Sequence, residues 1–180
     1  MTQSAHGRRM TAMIDIGNGL AIDRETAEMV VVDRARLESG LARSSDPCDR
    51  AVAAMVTGCT GAARKELEGT APSLRRNALL AEVSRLEGDP DGAVNLLEQV
   101  LDSYEPQGLR LAVVLQHLAK AEYASGRHAD AVAHLNEALA LRRELGAPPD
   151  QVASTELMLD IALATRRPHS DREGKATGDG

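Results

Sequence analysis

The chain has 180 residues, enough for one packed domain with a small appendage, and 43 % of them are hydrophobic. Its formal charge of -6 argues against direct nucleic-acid binding, and Cys48 and Cys59 are too few for a disulfide framework and wrongly spaced for a redox or zinc pair. No apolar run reaches membrane-spanning length, and Arg8-Arg9 is not followed by a signal-peptide core, so a soluble cytoplasmic protein without membrane contact is expected.

Leu and Ala supply much of the apolar content, and the only aromatics are Tyr104 and Tyr123. That favours helices packed through aliphatic seams. Arg outnumbers Lys, which suits bidentate contacts to carboxylates and equally follows from coding bias.

Residues 1–11 read as a polar, flexible tail. Residues 12–69 read as a mixed strand and helix region that caps the helices after it. Met13-Ile14-Asp15-Ile16 and Leu20-Ala21-Ile22-Asp23 flank Gly17-Asn18-Gly19, a strong turn signal, and Glu28 to Asp33 is the best strand candidate. A β-hairpin or a third strand fits here. It would have to pack on helices or on a second chain, because so small a sheet is marginal alone. Gly17 and Gly19 do not make a nucleotide loop, since no third Gly and no Lys-Ser/Thr pair occur at the required spacing.

A helix is expected over Arg34 to Ala42, ended by Arg43-Ser44-Ser45-Asp46-Pro47. Either Asp46 or Asp49 suits the cap of the next helix. Arg50 to Thr57 and Gly61 to Leu67 then form a degenerate opening hairpin around Gly58. Ser73 is placed to cap a helix running to Leu86, and Pro90 falls in the first turn of the next, which ends near Tyr104. Leu109 to Ser125 and His128 to Leu145 are the following pair. Gly146-Ala147-Pro148-Pro149 stops the pattern, and Gln151 to Thr165 is a last helix without a partner in the chain. Residues 70–167 thus form the helical domain, and 168–180 read as a disordered tail.

Two segments within the helical domain repeat. With Gly88 set on Gly126, Ala93 falls on Ala131, Leu97 on Leu135, Val100 on Ala138 and Leu101 on Leu139, all at an offset of 38. Upstream, Leu80-Ala81 falls on Leu118-Ala119 at the same offset. A register held across two helices is an internal repeat. The motif of a Leu-small pair, a turn Gly, an Ala, a large apolar residue four later and then Ala-Leu resembles the tetratricopeptide repeat (TPR) family. The aromatics common in that family are nearly absent, and the offset exceeds its period of about 34, which calls for extended helices or a longer connection.

The resemblance implies an all-α fold of antiparallel helical hairpins stacked as a short right-handed solenoid, with the N-terminal hairpin added. It also implies a concave surface lined by the first helix of each hairpin. Carried over, that surface holds Arg75, Ala78, Glu82 and Arg85, then Val113, Gln116, Lys120 and Tyr123. Glu156, Leu159, Leu163 and Arg166 extend it if the last helix keeps the geometry. The groove contacts of interest are Arg75, Glu82, Arg85, Gln116, Lys120, Tyr123 and Arg166, whose cations suit acidic groups of a peptide. A chaperone-tail clamp is disfavoured, because Gln116 and Lys120 stand where the family has Lys and Asn.

His117, His128 and His134 lack the three or four converging ligands a metal needs, and no His-Glu-x-x-His is present. No nucleophile elbow or phosphate loop appears either. No catalytic, cofactor or metal residues are therefore expected. The leading expectation is a non-catalytic protein-interaction module, an accessory or regulatory subunit that binds a protein or peptide through the groove or the terminal helices. The alternatives are a self-associating scaffold, for example a homodimer, and a small-molecule binder or helical enzyme with a groove-enclosed site.

Overall fold

A computed structural model describes residues 13–165. The expected tails at 1–11 and 168–180, and Arg166, lie outside the described residues.

The described chain opens with strands β1 (Met13–Gly17), β2 (Leu20–Asp23) and β3 (Met29–Val31), paired antiparallel in the order β1-β2-β3. Gly17, Asn18 and Gly19 all take positive φ, so the turn uses residues that tolerate the left-handed region. Ile14 pairs with Ile22, and Leu20 with Val31. Gly19 also lies against the next helix: a Cβ there would sit 2.1 Å from the Asp33 carbonyl oxygen.

The rest of the described chain is helical: α1 (Arg34–Arg43), α2 (Pro47–Val56), α3 (Thr60–Glu68), α4 (Leu74–Leu86), α5 (Pro90–Tyr104), α6 (Leu109–Ala124), α7 (His128–Glu144) and α8 (Pro149–Thr165). The helix starts obey capping chemistry. Asp33, Asp46, Ser73 and Asp89 each accept a hydrogen bond from a first-turn amide of α1, α2, α4 and α5. Asp46, not Asp49, therefore caps α2. Helix α2 begins earlier than the apolar pattern alone predicts, because Pro47 occupies its first turn, where a missing N–H costs little. Helix α8 likewise begins at Pro149 rather than Gln151.

The repeat register is visible in the packing. Ala93, Leu97 and Val100 are buried, and so are their counterparts Ala131, Leu135 and Ala138. The hairpin turns match as well. Gly88 and Gly126 have φ of 87° and 82°, and the next amide bonds back five residues, Asp89 N to Ser84 O and Arg127 N to Glu122 O. This six-to-one bond satisfies a free carbonyl at the helix end and needs a left-handed residue before it.

Helices α2/α3, α4/α5 and α6/α7 form three stacked hairpins, and α8 packs on α7. The opening hairpin shares a core with α4, where Cys48, Ala51, Ala63 and Leu67 meet Leu79, Leu80 and Val83. Helix α8 continues the 38-residue period: Gln116 Nε2 donates to Ser154 Oγ at 2.9 Å, linking equivalent positions of successive first helices. The fold is an all-α solenoid of antiparallel hairpins with a small N-terminal sheet. Of the expected two- or three-stranded element, all three strands form.

The sheet packs between the ends of the stack. β1 contacts α8, β3 contacts α2, and Ala27 joins Ala119 and Met158 in one buried cluster. It therefore lies over the concave side of the solenoid.

Candidate functional site

Four charged side chains meet on the concave face. Glu82 and Arg85 come from α4, one helical turn apart, and Lys120 comes from α6 at the position equivalent to Glu82. The fourth is Glu28, at the entry to β3. Asp23 shapes the preceding turn, its Oδ1 accepting from Glu25 N at 2.7 Å and Thr26 N at 3.2 Å. Ala27 then takes φ of +56°, unusual for a residue with a Cβ, and is buried against the helices. That turn delivers the Glu28 carboxylate into the groove.

The contacts are short. Arg85 Nη2 lies 2.9 Å from Glu28 and 2.8 Å from Glu82 Oε1. Lys120 Nζ lies 3.0 Å from Glu82 Oε1 and 3.4 Å from Glu28 Oε2. Glu82, Arg85 and Lys120 are 12–14 % exposed at the side chain, and Glu28 is 38 % exposed. Burial alone would raise the Glu82 carboxyl, but Lys120 and Arg85 outweigh it and hold the group well below its usual range. His117 Nδ1 is 3.7 Å from Glu82 Oε2, outside hydrogen-bond reach, so the two stronger cations carry this effect. The Arg85 guanidinium loses stability as a cation through burial and regains more from Glu82 and Glu28, so its pKa is raised.

The other described candidates make separate contacts. Arg75 pairs with Asp46 and Asp49 of the opening hairpin. Gln116 bonds Ser154 and accepts from Arg142. Tyr123 OH lies 2.7 Å from Thr165 Oγ1, and its ring meets His128 edge-on. Ala78 is packed in the core between α4, α5 and α6 instead of facing the groove. Val113 lines the groove, Leu159 packs against α8's neighbours, Leu163 is exposed, and Glu156 pairs with Arg143 at 2.7 Å. Sequence reasoning missed Glu28 as an occupant of the groove. Its one signal was position, a carboxylate opening the strongest strand pattern in the chain.

The sheet and the helices partly enclose a cavity of about 390 Å³. Its walls are largely apolar, with Ile22 and Met29 from the sheet facing Met55, Leu79 and Val113 from the helices. Glu82, His117 and Lys120 lie at its charged wall, and Gln116, Arg142 and Ser154 line another part. Among the described residues, no three His, Cys, Asp or Glu side chains gather as a metal site, and no helix is long and apolar enough to cross a membrane.

No curated protein matches the chain. A sequence model of the family described as "Tetratricopeptide repeat" matches residues 74–144, the stretch from α4 to α7 that holds both hairpins of the 38-residue register. The match covers less than half of the chain, and within it the two hairpins, their glycine turns and their small-residue seams are those of tetratricopeptide repeats.

Proposed function

We propose that this protein is a non-catalytic interaction module, a cytoplasmic accessory or regulatory subunit whose concave face binds an acidic segment of another protein. Repeats of this family generally mediate protein–protein interaction. The observation that carries the reading is the grip on Glu28. Arg85 and Lys120, from successive repeats, converge on one carboxylate at the start of an extended segment. An acidic peptide offers the same groups, a carboxylate on extended backbone, and would take the place Glu28 holds. Arg75, Glu82, Gln116, Tyr123 and Arg166 are proposed as the surrounding contacts.

The test is quantitative co-purification with three forms of the protein. A genuine partner is recovered with the wild type and lost with Lys120→Ala/Tyr123→Ala, while helicity stays intact. Glu28→Ala, which removes one of the two carboxylates that both cations contact, increases recovery. A partner retained at equal level by the double variant would place the interface off the groove, and repeated failure to recover any partner would count against the module.

A second reading, a small-molecule binder, is favoured by the partly enclosed apolar cavity between the sheet and the helices.

A further inference from the structure

The cavity beneath the sheet has a charged group that the Glu28 cluster does not use. Arg142 of α7 is 5 % exposed and reaches between α6 and α8 to the cavity wall. The two N–H groups of its Nη1 are shared among Gln116 Oε1, Thr155 Oγ1 and, at 2.7 Å, the Gln151 carbonyl. All three acceptors are neutral. Nε has no hydrogen-bond partner. Among the described residues, no hydrogen bond reaches Nη2 and no carboxylate pairs with the guanidinium. Asp150 lines the same cavity but stays beyond ion-pair distance. Burial draws the Arg142 pKa down to about 10, and the Asp150 charge offsets only part of that.

A buried guanidinium without a counter-charge is costly, and an anionic ligand in the cavity would supply that charge. Nε is sealed from solvent, whereas Nη2 keeps its N–H groups free to donate to a ligand oxygen. The rest of the cavity restricts the ligand further. Its volume of about 390 Å³ suits a small organic molecule, and most of its lining is aliphatic. Asp150 also borders the space and disfavours a multiply charged anion such as a phosphate ester.

We propose that this cavity is a binding site for a small monocarboxylate with an apolar body. The carboxylate is held by Nη2 of Arg142, and the body lies between the sheet residues Ile22 and Met29 and the helix residues Leu79 and Val113. The proposal rests on the small-molecule reading and names its ligand class.

The experiment compares naphthalene-1-acetate with its neutral isostere naphthalene-1-acetamide, and uses decanoate as a competitor. The chain has no Trp, so naphthyl fluorescence is read over little protein background. The acid is expected to bind saturably and at least about tenfold tighter than the amide, with decanoate displacing it. Arg142→Met should weaken the acid by that factor and leave the amide unchanged. Val113→Phe, which fills the cavity, should exclude both. Equal affinity for acid and amide would overturn the carboxylate assignment while leaving a cavity that accepts small molecules. Binding of neither naphthyl compound nor decanoate would overturn the assignment together with the small-molecule reading. Unchanged acid binding in Val113→Phe would put the ligand outside the cavity and overturn the proposal too. If Arg142→Met does not fold, the wild-type acid–amide comparison and Val113→Phe decide the matter.

Discussion

Glu82→Gln removes one charge from the centre of the groove while keeping the side chain's shape. In the wild type Glu82 lies 3.0 Å from Lys120 and 2.8 Å from Arg85, with all three side chains mostly shielded from water. Removing one member of a buried ion pair typically costs about 3–5 kcal/mol, because the partner's charge is left uncompensated. Here Glu28 still faces both cations, and its partial exposure admits solvent, so the loss should be nearer about 2 kcal/mol. Denaturant unfolding monitored by circular dichroism should show a lower midpoint with an unchanged slope. The sign of the pH effect is set by the lowered pKa of Glu82. A depressed carboxylate stabilises the fold above its unfolded value of about 4.3, and that stabilisation is lost as pH falls through the folded value. The gap between wild type and variant should therefore be full at neutral pH and shrink in acid. A loss below about 0.5 kcal/mol at neutral pH, or a gap that does not change in acid, would refute the idea that the cluster is a stabilising network.

Two further outcomes test the repeat and its charged second helix. Ala131→Leu should force α7 away from α6 and cost about 1–3 kcal/mol, since Ala131 is fully buried beside Ala119; an unchanged thermal midpoint would contradict the register. His134 is held above the usual imidazole range by a 2.8 Å hydrogen bond with the buried Glu122 carboxylate, against a smaller opposing effect of burial. Its contribution should be complete below pH about 6.5 and lost as pH rises through the raised value, and His134→Gln should flatten that part of a stability–pH curve.

The amino-acid sequence by itself determined the solenoid. Local signals placed it: Asp and Ser at helix starts, Gly88 and Gly126 at the turns, and Ala93, Leu97, Ala131 and Leu135 at matching depths of the core. Each depends on a few neighbouring residues and repeats at a constant offset, so pattern alone exposes it. The strand pairing around Gly17-Asn18-Gly19 was legible for the same reason.

Only the tertiary structure decided what the concave face holds. Glu28 and Arg85 are 57 positions apart, and Glu28 and Lys120 are 92 apart. No local rule connects them. Their meeting depends on the left-handed Ala27 turn and on where a three-stranded sheet comes to rest, between α2 at one end and α8 at the other. Arg142 shows the same limit. In sequence it is one of two adjacent arginines in the last turn of a helix, the usual place for a solvated cation. Arg143 takes that role, paired with Glu156 at the surface, while Arg142 is buried because the chain reverses at Gly146 and lays α8 over it. Burial is a property of the returning chain, and that return is what turned a periodic pattern into a partly enclosed cavity with a buried cation in its wall.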